Sequence, residues 1–199
     1  MKTLLLGAIA TLLLSFQAQA GVLGSSFFIE PSLGYKIENT KLTDLALATT
    51  EIKTTAPVFG LKLSYRNASG VELALGGEYV KGSATISNLT EKNEFSKSTA
   101  GLSIAVNSLG FVKMYLGASF HNEFVIAQSD QTQETKLSGP SYQAGLVFRA
   151  LPTLNLGFQY NLNQYNKVKG SNFLIGENIE SYYSKVDTQD YSLFISTAF

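Results

Sequence analysis

The chain holds a single histidine, and it stands in an alternating triplet, Ser119, His121 and Glu123. On an extended strand these side chains share one face, where a hydroxyl, an imidazole and a carboxylate can touch. Such a set could pass a proton and attack an ester, the chemistry of a serine hydrolase. A second group is electrostatic. Glu30, Lys36, Lys62, Arg66, Glu72, Glu78, Lys113, Glu123, Arg149 and Asp190 each sit beside an apolar or aromatic residue. Gathered in one interior, they would either lead ions through it or neutralise one another in a hydrogen-bonded network. Acidic residues also fall between the apolar stretches, at Asp44, Glu51, Glu91, Glu94, Asp130, Glu134, Glu177 and Glu180. They lack the close spacing of a cation site, so no metal and no cofactor is expected. The chain has no cysteine, which removes disulfides, thiol chemistry and a lipoprotein anchor.

The elements that must position these residues are read from hydrophobic period. Met1-Lys2-Thr3, the apolar run Leu4 to Leu14 and the small-x-small step Ala18-Gln19-Ala20 form a secretory signal over residues 1–20. The run is too short for a membrane helix, which needs about 20 apolar residues. Residues 21–199 are then one domain, in which an alternating stretch and a turn recur eight times. Phe27, Ile29, Leu33 and Tyr35 oppose Glu30, Ser32, Gly34 and Lys36. Phe59, Leu61, Leu63 and Tyr65 oppose Gly60, Lys62, Ser64 and Arg66, and the pattern continues to Tyr191, Leu193, Ile195 and Phe199. A period of two means strands, and stretches of about ten residues are long enough to cross a bilayer when tilted. Helix-length gaps are missing, so neighbouring strands should run antiparallel. Basic and acidic residues balance at 15 each, which gives no field for nucleic acid.

Connection lengths alternate. Asn67-Ala68-Ser69, Asn107 to Gly110 and Ala150 to Thr153 are tight by residue type. Residues 38–53, 81–97, 125–138 and 166–187 read as long polar loops. The fold class expected is all-β, an eight-stranded antiparallel up-and-down transmembrane β-barrel with short periplasmic turns and long extracellular loops. A soluble barrel would turn its apolar face inward around a ligand. Here that face carries no charge, and its rings gather at strand ends. Phe27, Tyr65, Phe148 and Phe199 would form a periplasmic girdle. Tyr35, Tyr79, Phe120, Tyr142, Tyr160 and Tyr191 would form an outer one.

The last nine residues, Tyr191 to Phe199, alternate and end on phenylalanine. With the eight-stretch plan, they give the chain a resemblance to the small outer-membrane barrels related to the transmembrane domain of outer-membrane protein A, OmpX, OmpW and the opacity proteins. That resemblance is architectural and covers the mature chain. It implies that Phe199 signals to the barrel-assembly machinery, although Thr197 departs from the bulkier residue often found there. Other partners expected are outer-membrane lipid, lipopolysaccharide and an extracellular partner met through the loops. The protein is expected to be a monomer in the bacterial outer membrane.

A barrel of eight strands is just wide enough inside for its own side chains, so a polar plug is favoured over a pore. Its members would be Glu30, Lys62, Arg66, Glu72, Glu78, Lys113, Arg149 and Asp190. If Asn67-Ala68-Ser69 is the turn, Ser64 lies opposite Glu72 and a Lys62–Glu72–Arg66 cluster follows. By phase, Ser119, His121 and Glu123 face this lumen, where acyl chains of the bilayer do not reach. The reading is therefore a structural or surface-interaction barrel without catalysis. A narrow channel for ions or small solutes is the first alternative, and a lipid A-modifying enzyme using that triplet is the second.

Overall fold

The computed structural model describes residues 26–87, 89, 92–108, 111–130, 134–151, 153–170, 177–179 and 183–198. The expected signal over residues 1–20 and the terminal Phe199 lie outside the described residues. Each apolar stretch read from the sequence is a strand, and several run further than their alternation suggests. The strands are β1 (Ser26–Asp44), β2 (Thr49–Arg66), β3 (Val71–Ile86), β4 (Lys92–Ser108), β5 (Val112–Ile126) and β6 (Thr135–Ser138). After them come β7 (Ser141–Arg149), β8 (Leu154–Asn163), β9 (Lys167–Gly170), β10 (Glu177–Asn178) and β11 (Tyr183–Thr197). β1 to β5 pair in order, and β5 then pairs with β7, β7 with β8, β8 with β11 and β11 with β1. The sheet closes on itself. β6 continues the wall strand of β7 and β9 that of β8, so the barrel has eight antiparallel wall strands.

Turn chemistry sets the register at the narrow end. Asn67 Oδ1 accepts from the N–H groups of Ser69 and Val71, at 3.0 Å each, and Gly70 takes φ 83°. A side chain at Gly70 would strain that left-handed conformation. The three residues of the turn are Ala68 to Gly70, one position later than expected, with Asn67 N–H donating to the Val71 carbonyl at 2.9 Å, and so Arg66 rather than Ser64 lies opposite Glu72. At the other end, much of what reads as loop is strand. Residues 38–53 form an extended hairpin whose pairs run to Thr43 opposite Thr49, closed by a turn at Asp44–Ala48.

The side of the sheet that is apolar changes along the strands. Between Phe59 and Tyr65, β2 sends Phe59, Leu61 and Leu63 outward, each more than half exposed, and Gly60, Lys62 and Ser64 inward. Beyond Val58 the pattern inverts. Thr55, Lys53 and Glu51 face out, while Val58, Ala56 and Ile52 are buried. Leu42, Val80, Phe95, Phe124, Leu137, Tyr165 and Val168 join them in a core inside the flared upper barrel. The ring centroids of Phe95 and Phe124 lie 5.4 Å apart, and those of Phe124 and Tyr165 lie 6.3 Å apart. One stretch of each strand is thus built for hydrocarbon outside, and the next is built for water outside.

Phe124 is fully buried in that core. Phe124→Ala should lower unfolding stability by about 3–5 kcal/mol, measured by urea titration in detergent micelles. Leu47→Ala, at the exposed tip of the β1–β2 hairpin, should stay within about 0.5 kcal/mol of the parent.

Candidate functional site: the closed lumen

Inward-facing positions place charge in two layers with aromatic rings between them. In the lower layer Lys113 on β5 reaches Glu30 on β1 at 2.9 Å and Glu72 on β3 at 3.2 Å. Arg66 on β2 holds the other oxygen of Glu72 at 3.0 Å, and its guanidinium lies 4.9 Å from the Phe28 ring. Glu30 also accepts from Ser196 Oγ at 2.5 Å and Asn155 Nδ2 at 3.5 Å. The Lys113 contacts cross the lumen from β5 to β1 and β3, while Arg66–Glu72 and Ser196–Glu30 join neighbouring strands.

The upper layer centres on two lysines. Lys36 lies 2.6 Å from Glu78 and 3.6 Å from Asp190. Lys97 lies 2.7 Å from both Glu38 and Asp190. Asn161 and Asn163 donate to Asp190, the latter at 2.8 Å, and Tyr165 donates to Glu38 at 3.0 Å. Lys97, Glu38 and Asp190 are each at most 2% exposed. Buried charges persist only when paired and further hydrogen-bonded, and this set meets both conditions.

Between the layers Lys62 lies 4.3 Å from the centroid of Tyr115 and 5.6 Å from that of Phe194. Tyr115 donates to Gln159 at 2.5 Å, and Gln159 donates to Glu78 at 2.8 Å. Both rings need room that only glycine leaves. A Cβ at Gly145 would overlap the Tyr115 ring, and one at Gly157 would overlap that of Phe194. Phe194, an exception to the inward polar pattern, therefore fills a slot across the wall from its own strand. A cation over aromatic faces in a site with little water is favourable by about 2 kcal/mol.

Of the residues expected in the lumen, Glu30, Lys62, Arg66, Glu72, Glu78, Lys113 and Asp190 lie there. Arg149 is exposed at the narrow mouth, where it lines a small cavity with Arg66 and Lys113. The expected Lys62–Glu72–Arg66 cluster forms only as Arg66–Glu72. Two residues of register place Lys62 opposite Gly76, and Lys113 takes its place on Glu72. Glu38 and Lys97 fall in residues 38–53 and 81–97, which read as polar loops, and in the structure both lie on strands, β1 and β4. Following Lys36-x-Glu38-x-Thr40 one step further would have found the first of them.

The Ser119, His121, Glu123 triplet does not share a face. A β-bulge makes Ala100 pair with His121 but Gly101 with Ser119, and the extra residue rotates the rest of β5 by half a period. Ser119 stays inside, and His121 and Glu123 turn outward. There His121 Nε2 meets Ser98 Oγ at 3.0 Å, while Glu123 is held by Lys136 at 2.5 Å. Outside the wall on β2, the Lys53 ammonium 3.0 Å from Glu51 holds that carboxyl below its ordinary value.

Phe27, Tyr35, Tyr65, Tyr79, Phe120, Tyr142, Phe148 and Tyr191 all face outward, and Tyr160 lies half-buried with its centroid 5.1 Å from that of Tyr191. The family model described as the outer membrane protein beta-barrel domain matches residues 6–179. The chain belongs to this family. As a member it is an outer-membrane β-barrel of the Gram-negative type, located in the bacterial outer membrane. Among solved structures it is similar to Ail of Yersinia pestis in complex with the heparin analogue sucrose octasulfate. The TM-score is 0.56 at 15% identity, over 87% of this chain and 99% of that one. Outer membrane protein AlkL in lipid bilayers gives 0.55 at 15%, over 92% and 94%. OprG of Pseudomonas aeruginosa gives 0.52 at 14%, over 87% and 95%. Identities this low speak for the fold alone. No curated protein matches the sequence.

The upper layer gives a direct test of this outer-membrane barrel's packing. Lys97→Ala leaves Glu38 and Asp190 buried and facing each other, and should cost about 3–5 kcal/mol. Adding Glu38→Gln and Asp190→Asn should recover part of the loss by removing the stranded charge. Urea midpoints of the two variants, measured side by side, check the expectation.

Proposed function

We propose that this outer-membrane barrel is a closed structural and surface-interaction protein, without catalysis and without an open pore. The observation that carries this reading is the stacking of two obstacles in one lumen. A layer of cross-strand ion pairs and aromatic rings lies below, and an apolar core fills the flared end above. An ion would have to strip its water and displace both, each at a cost of several kcal/mol.

In this proposal residues 1–20 are a cleaved export signal, and residues 21–199 the mature barrel. The narrow turns face the periplasm and the long hairpins face outside. The outward rings sit at the two bilayer interfaces, Phe199 serves assembly, and the barrel works as a monomer. With the lumen closed, activity falls to the exterior. The β1–β2 tip offers Leu45 and Leu47, 64% and 78% exposed, as a small apolar surface above the membrane. The Ail structure holds a heparin analogue, and by analogy the exposed hairpins here are the part that meets extracellular molecules.

Planar bilayers containing the purified protein should show no steady openings. Resolved openings of constant amplitude would favour the narrow channel instead. Because the chain has no cysteine, Leu47→Cys should label in intact cells with a membrane-impermeant maleimide, and Ser69→Cys should not. The reverse labelling would invert the orientation.

A further inference from the structure

Three neighbouring wall strands break their regularity at one height. β5 bulges at Phe120 and His121, the β6–β7 strand breaks at Gly139 and Pro140, and the β8–β9 strand breaks between Gln164 and Asn166. The breaks are stitched together by backbone bonds. Gly139 N–H donates to the carbonyl of Asn122 at 3.2 Å, Gln164 N–H to that of Pro140 at 2.9 Å and Asn166 N–H to that of Ser138 at 3.0 Å. The result is a concavity of about 340 Å³, lined among others by His121, Ser138, Asn166 and Lys167. It lies just beyond the outer rings Phe120, Tyr142 and Tyr160.

Below it on the same seam is a second hollow of about 560 Å³ that is almost wholly apolar. Met114, Leu116, Ala144, Leu146 and Phe158 line it, and small Ala144 and Gly145 lower its floor. Exposed Ala118 lies between the two hollows on β5, directly opposite the outward ring of Tyr142. From Leu116 to His121 along β5 is about 16 Å of extended chain. A recess of mixed polar and apolar lining thus stands over an apolar trench, in the order that an outer-leaflet lipid would require.

Lysines also gather beside the recess. Lys136 lies directly opposite Lys169, and Lys167 directly opposite Ser138. Glu123 offsets the charge of Lys136, which leaves Lys167 and Lys169 as the cations a bound anion would meet. Among the described residues Glu123 pairs with Lys136, and no carboxylate pairs with Lys167 or Lys169. We propose that the β5–β7 seam is a binding site for a phosphorylated glycolipid of the outer leaflet, with its phosphate against Lys167 and an acyl chain in the trench over Ala144. The site rests on the extracellular placement of the hairpin end, which labelling at Leu47→Cys reports separately.

The test uses the full-length barrel extracted in mild detergent and freed of lipid by exchange. Native mass spectrometry then follows the binding of three probes: bisphosphorylated lipid A, its dephosphorylated form and phosphatidylglycerol. Lipid A should bind the parent, and both Lys167→Ala/Lys169→Ala and Ala144→Phe should weaken it by about tenfold. Lys53→Ala, at an exposed lysine elsewhere on the wall, should leave binding unchanged. Heat-modifiable gel migration confirms that each variant is folded. Equal binding of dephosphorylated lipid A removes the phosphate site, and equal binding of phosphatidylglycerol removes the preference for a glycolipid. Indifference to both seam variants overturns the proposal.

Discussion

Every other feature of this molecule depends on the closure of its backbone ladder. In hydrocarbon an unpaired N–H or C=O costs several kcal/mol, so a sheet placed there can have no free edge. β11 returns to pair with β1 from Ser32 opposite Ser196 to Asp44 opposite Tyr183, and closure follows. Eight wall strands then enclose a narrow lumen. Closure therefore creates a second requirement, because the interior must be filled by side chains of the same strands whose outer faces are apolar.

The way it is filled reflects alternation. A strand that sends leucine and phenylalanine outward must send its next residue inward, and the sequence makes those residues glycine, serine and charge. Charge is a costly filler unless it is matched, and the two layers match it across the barrel: Lys113 to Glu30 and Glu72, Lys36 to Glu78, Lys97 to Glu38 and Asp190. Such bridges fix which strands face each other through the lumen. Glycines on the inward face let the Tyr115 and Phe194 rings cross it. Above, the wall leaves the bilayer, and the economical arrangement becomes that of a soluble protein with an apolar core within and lysine and threonine without.

Where the wall passes from one regime to the other, three strands carry irregularities together. The consequence for chemistry is large because a single extra residue exchanges the faces of a strand. It takes His121 and Glu123 out of the lumen and separates them from Ser119, so the only histidine ends at the outer border beside Ser98. The same irregularity borders the recess over the seam. The bulge dissolves a candidate catalytic set and, with the breaks in the two neighbouring strands, shapes a surface feature.

Alternation, the absence of charge on one face and the ordering of short and long connections were legible in the amino-acid sequence. They determined the barrel, its strand count, and its inside and outside. What needed tertiary structure were quantities that local pattern does not carry. Pairings through the lumen join residues such as Glu38 and Lys97, 59 positions apart, and depend on strand tilt and register around the whole ring. Register itself turned on whether the turn begins at Asn67 or at Ala68. Phase beyond Phe120 turned on one unpaired residue that leaves no mark in composition. Period-two patterning reports which face a residue takes while the strand stays regular. Only the closed fold decides where regularity ends and which charges then meet.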